Sequence, residues 1–232
     1  MRSKAFTALT VFLVSMTALV YNTLPASALT TAGAMSMAAP SQTATADLAK
    51  ALEQRAEAQL VKGEKADSYI AQARDAVSTT GTHLKEGESS KFSQGEVSRL
   101  ADGTTLVVFP LTGGDLTSSA LTVSFAPNGT TGSVYEMLLR EISATSGSVE
   151  FWVDGLKQVD HIVKESQAST QGWSEFVDCL NNSGVAAWIV TAITIACSAI
   201  CVGSAGTACI ACIAAAAGTT GGTIGYCISE GW

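Results

Sequence analysis

The side chains here best able to do chemistry are six cysteines, spaced Cys179-x17-Cys197-x3-Cys201-x7-Cys209-x2-Cys212-x14-Cys227. Thiols at such spacing can pair as disulfides, ligate a soft metal or exchange with another disulfide. Cys209-x2-Cys212 has the spacing of a metal or redox pair, but no histidine lies in the segment. A thioredoxin-type pair belongs at a strand-to-helix junction of a βαβ unit, which the surrounding residues do not supply. Disulfides are therefore expected, with no metal and no other cofactor. Elsewhere His83 lies in a polar stretch and His161 in a strand-like one, each read as a surface or sheet residue. G-x-S-x-G, H-E-x-x-H and G-x-G-x-x-G motifs are absent, so the chain is expected not to be an enzyme. Asn128-Gly129-Thr130 fits a glycosylation acceptor, but reads better as a hairpin turn.

Helical geometry narrows the fifteen pairings that six cysteines allow. Residues 184–202 are almost wholly apolar and of helix length. Cys197 and Cys201 are four apart and share a face of that helix, while Cys209 and Cys212 are three apart and share a face of a second. Gly203-Ser204-Ala205-Gly206 supplies the turn between them. Folding back there sets Cys201 against Cys209 and Cys197 against Cys212, with Cys179–Cys227 nearly concentric outside them. Disulfides need Cα atoms about 5.5–6 Å apart, whereas packed helices run about 8–10 Å apart. The small residues Ala196, Ser198, Ala199, Ala205, Gly206, Ala208 and Ala211 permit the closer approach. The alternative within-helix pairs would distort their helices. Farther on, Gly218, Gly221, Gly222 and Gly225 form two overlapping G-x3-G spacings, read either as helix-packing positions or as loop glycines. Trp173, Trp188 and Trp232 are either interfacial anchors or core aromatics.

The elements that must position these cysteines follow from composition. The chain has 232 residues, 47% hydrophobic and 14% charged, with a net charge of −7. An acidic chain with so few charges argues against nucleic-acid or polybasic lipid binding. The charges are unevenly placed. Residues 179–229 carry none, whereas residues 45–165 hold 28 charged side chains in 121.

Within residues 45–165 two periodicities succeed each other. Residues 45–77 read as helical, capped by Thr45 or Asp47, with Leu48, Leu52, Ala56 and Leu60 at helical spacing. Gly63 breaks this run into two helices, and Tyr69, Ile70, Ala73 and Val77 continue the stripe. Residues 78–93 read as a loop. Period-2 strands are expected at 96–101, 105–111, 120–126, 133–142, 149–153 and 158–163, separated by Asp102-Gly103, Gly113-Gly114-Asp115, Asn128-Gly129, Ser146-Gly147 and Asp154-Gly155. The stretch 133–142 fits a helix equally, since Met137, Leu138 and Leu139 are consecutive. The fold class is α+β: N-terminal helices on a half-solvated antiparallel β-meander, followed by a small disulfide-bonded all-α hairpin.

The remaining segments concern export. Arg2 and Lys4 precede an apolar run at 5–20, and Ala26-Ser27-Ala28 is a small-x-small site, so residues 1–28 read as a secretory signal peptide. Residues 29–44 read as a flexible leader and 166–178 as a polar linker. This gives a soluble, propeptide-like module at 45–165 and a hydrophobic cysteine-rich peptide at 179–232. An oxidising compartment suits the cysteines.

This layout resembles the precursors of halocin- and fulvocin-type bacteriocins. The residues that carry the likeness run from Cys179 to Cys227, including CSAIC at 197–201 and CIACIAAAAG at 209–218. The resemblance covers the C-terminal segment and is one of pattern more than strict motif. It implies a secreted antimicrobial peptide released from its precursor, with a chaperone-like or self-protecting N-terminal part. The implied partners are a target-cell membrane or membrane receptor, a processing protease and the N-terminal module itself, with no nucleic acid. The alternative is an exported, non-enzymatic binding or surface protein that keeps the hairpin as a permanent core or membrane anchor.

Overall fold

The computed structural model describes residues 42–165, 179–180, 182–203, 206–219 and 227. The signal peptide at 1–28, most of the leader, the linker at 166–178, and Gly221, Gly222, Gly225, Trp173 and Trp232 lie outside them.

Helix α1 (Gln42–Ala56) starts earlier than its capping candidates imply, so Thr45 and Asp47 sit inside it. The last three residues of the expected leader, 42–44, are helical as well. Leu48, Ala51 and Leu52 form the buried side of α1. The helix stops before Leu60, which instead lies 57% exposed in a two-residue strand, β1 (Gln59–Leu60). Gly63 then takes φ 68°, a left-handed conformation that side chains resist. α1 has already ended seven residues earlier, and Gly63 instead directly precedes α2 (Glu64–Thr80), whose Ala66, Ala73 and Val77 are buried. After a second two-residue strand, β2 (Ser89–Ser90), and a 3-10 turn at Phe92–Gln94, the chain becomes a meander. Its strands are β3 (Glu96–Arg99), β4 (Thr105–Thr112), β5 (Ser119–Phe125), β6 (Thr131–Ser143), β7 (Ser146–Val153) and β8 (Leu156–Lys164).

These strands form one antiparallel sheet in the order β1-β3-β4-β5-β6-β7-β8, with β2 paired to the far end of β4. The turn residues do what their types require. Asp154 and Gly155 both have positive φ, 49° and 77°, which suits the tight β7–β8 hairpin. The Asn128 side chain accepts from the Thr130 N–H and so shapes the β5–β6 turn. The ambiguous stretch 133–142 is strand: Met137 and Leu139 point to one face of the sheet and Leu138 to the other.

Across β4 to β6 both faces of the sheet are covered, whereas β8 keeps the half-solvated character expected of the meander. On one face lie α1 and the two C-terminal helices, α3 (Ala187–Gly203) and α4 (Thr207–Thr219). They share a core with Leu106, Val108, Met137, Leu139, Phe151 and Val163. The other face carries α2 over Val107, Phe109, Leu121, Val123, Phe125 and Leu138. The cysteine-rich hairpin is thus an α+β core layer as well as a disulfide-bonded helical unit. All the described residues fall within one compact unit, Ala38–Trp232.

Candidate functional site

The hairpin holds the expected site residues. Cys179 is bonded to Cys227, Cys197 to Cys212 and Cys201 to Cys209, with Cα separations of 5.6, 5.5 and 4.6 Å. All six sulfurs are thereby committed, so Cys209 and Cys212 do not offer a thiolate pair. Among the described residues no group of three or more His, Cys, Asp and Glu could hold a metal ion. Gly218, the one described member of the glycine set, lies in the last turn of α4. No described helix is long and apolar enough to cross a membrane.

The seat beneath the hairpin is built from small residues. Along β5, Ala120, Thr122 and Ser124 alternate with Leu121, Val123 and Phe125, and all six are buried. Ala120 lies on the hairpin side, and the alternation places Thr122 and Ser124 there too. α4 crosses β4, β5 and β6 on this side, and its residues Ala211 and Ala214–Ala216 are buried. A helix with methyl side chains over a strand face of small residues can approach closely. The Thr122 hydroxyl on this seat and the Ser198 hydroxyl on α3 are buried without a hydrogen-bond partner among the described residues, a cost the apolar packing must outweigh.

α3 is fixed by one aromatic notch. Trp188 is 1% exposed and lies over Gly147 at the start of β7. A Cβ at Gly147 would fall inside the Trp188 ring, so only glycine accepts the indole at this distance. Trp188 is therefore a core aromatic. On the outer side of the hairpin, α1 packs against both α3 and α4, and the Cys209 sulfur lies 3.8 Å from the Asp47 carbonyl oxygen. The hairpin is consequently held between the sheet and α1.

The opposite face of β6–β8 carries a polar network that sequence reasoning missed. Its centre is Arg140, 4% exposed, whose Nε and Nη2 donate to the two Glu88 carboxylate oxygens at 3.0 Å each. Nη1 donates to Glu150 at 3.3 Å, and Asp115 lies 3.7 Å from Nε. Burial alone would raise the Glu88 carboxyl. The hydrogen bond from Arg140, that from the Lys85 backbone and the positive charges of Arg140 and Lys85 outweigh it and hold Glu88 below its ordinary value. Nearby, the nearly buried Glu136 accepts from the His83 backbone N–H and meets the His83 Nδ1 at 2.7 Å. The His83 ring stacks on Trp152 at 3.4 Å, and Lys157 sits over the same indole.

These contacts tie the 81–91 segment to β6 through Glu136 and Arg140 and to β7 through Trp152. Among the described residues no Ser, Thr or Cys side chain hydrogen-bonds the His83 ring, and the arrangement acts as a clamp. The only advance signal was charge within strand pattern, at Glu136 between Tyr135 and Met137 and at Arg140 directly after the apolar run 137–139. His161, by contrast, is exposed on β8.

Comparison with family models, with curated proteins and with solved structures gives no match for this chain.

Proposed function

We propose that this chain is an exported, bacteriocin-like precursor that carries an apolar, disulfide-bonded helical hairpin in a form water tolerates. The observation that carries the reading is the covalent layout. All three disulfides lie within residues 179–227, and none ties the hairpin to the sheet or to α1. One cut in the polar segment 166–178 would yield two chains joined only by packing, the second fully cross-linked. The resemblance to halocin- and fulvocin-type precursors points the same way.

The packing sets how such a peptide would leave. Trp188, Ile189, Val190, Ile193, Ile200, Ile210 and Ile213 are all buried. At about 1.5–3 kcal/mol each, exposing them to water would cost roughly 10–20 kcal/mol as an upper bound. A cut chain therefore stays assembled in water. Hydrocarbon removes that cost, so an apolar membrane is the acceptor that favours departure. The hairpin segment carries no basic residue, and attraction to anionic lipid plays no part. The sheet and α1 act as the holder, and a target-cell membrane or a membrane receptor is the destination.

The Trp188–Gly147 notch favours a second reading, in which the hairpin is the permanent core of an exported, non-enzymatic binding or surface protein. One experiment separates the two. A specific protease site is placed within 166–178, and the purified protein is cut and mixed with neutral phospholipid vesicles. The precursor reading expects the cut chains to co-elute in buffer. On vesicle addition the C-terminal chain moves to lipid and releases entrapped dye, while uncut protein does neither. Cut protein that stays assembled and inert beside vesicles would establish the permanent core instead.

A further inference from the structure

We infer that β8 is a self-association edge, through which two copies of the chain join their sheets in antiparallel fashion about Ile162. β8 is the last strand in the sheet order and pairs only with β7 among the described residues. Edge strands are usually blunted by short length, lysines or bulges. Here the strand is nine residues long. Its register shift falls opposite Phe151 and Trp152, and residues 159–164 pair with β7 regularly. Lys157 does not guard the edge either. It bonds to Asp160 at 2.8 Å and Glu150 at 3.2 Å and covers the Trp152 ring, on the face of the sheet.

The sequence of the regular part is complementary to itself. Asp160, Ile162 and Lys164 share one face, and Ile162 is 66% exposed. If Ile162 meets Ile162 of a second copy in an antiparallel pair, Asp160 of each chain stands opposite Lys164 of the other. Two opposite-charge pairs then flank one apolar contact. Centring the pair on Asp160 would instead set two carboxylates face to face. An interface of this length is small, so the association is reversible and concentration-dependent.

Sedimentation of the intact, oxidised protein over a concentration series tests this. A monomer–dimer equilibrium is expected. Lys164→Asp weakens it on the order of tenfold, since two favourable cross-strand pairs become repulsive. Adding Asp160→Lys to that variant restores it. In a parallel arm, Ile162→Cys forms a disulfide-linked dimer, because Cα atoms facing each other in antiparallel pairs are within disulfide reach. Leu156→Cys, equally exposed but outside the register, does not. A protein that stays monomeric at every concentration overturns the inference. So does a monomer in which the β8 amides that point away from β7 resist hydrogen exchange, which would show that another segment of the same chain occupies the edge.

Discussion

Arg140 and Glu88 show how a single pair can hold a segment that has little regular structure of its own. Arg140→Met leaves Glu88, whose side chain is fully buried, without its main partner. A loss of about 3–5 kcal/mol is expected in denaturant unfolding. Because the folded-state Glu88 value is depressed, its contribution is complete above the ordinary carboxylate range. It is lost as pH falls through that lowered value. Wild-type and Glu88→Gln stability curves should therefore converge on acidification and differ at neutral pH; parallel curves down to strongly acid pH would contradict this. At the notch, Trp188→Ala removes the largest fully buried side chain of α3 and should cost about 3–5 kcal/mol. Gly147→Ala forces the indole aside and should cost about 1–3 kcal/mol. Little of this was legible in the residues. Arg140 and Glu88 are 52 positions apart, and nothing local marks their meeting. Trp188 could be weighed only as anchor or core, because the glycine that receives it lies in a different element.

At the level of elements, spacing carried much more. The six strands of the meander, the division of the N-terminal segment into two helices and the division of α3 from α4 follow from periodicity and glycine placement, although α1 ends at Ala56 and not at Gly63. The nested cysteine pairs are the ones an antiparallel hairpin brings together. What misled was the polar half of β5. Thr122 and Ser124 look like solvent positions in an alternating strand, yet they are buried because α4 needs a flat, small-residue bed. Likewise Met137, Leu138 and Leu139 looked helical because an apolar run is also what a strand shows when both its faces are covered. The disulfides should differ in worth with the loop each closes. Sequence separations of 48, 15 and 8 residues correspond to about 4, 3 and 2.5 kcal/mol in the chain-entropy account. Pairwise alanine replacement with denaturant unfolding measures this, and Cys179–Cys227 should be the costliest to lose. An order set instead by burial would point to an enthalpic origin.

Across the whole molecule, two connectivities fail to coincide. By packing, the C-terminal helices are half of the larger core. By covalent bonding, they form a closed unit hung on one polar segment. Composition hinted at the second property, since residues 179–229 are free of charge and hold every cysteine. It gave no sign of the first, because an apolar helix has the same composition whether its partner is lipid or a β-sheet. A precursor that shelters an apolar peptide needs both. The most direct measurement is non-reducing mass mapping, with a growth-inhibition assay, of material released by cells that make this chain. The account predicts an inhibitory fragment that begins within residues 166–178 and contains the Cys179–Cys227, Cys197–Cys212 and Cys201–Cys209 bonds. Only uncut chain spanning the linker, without inhibitory activity, would contradict it.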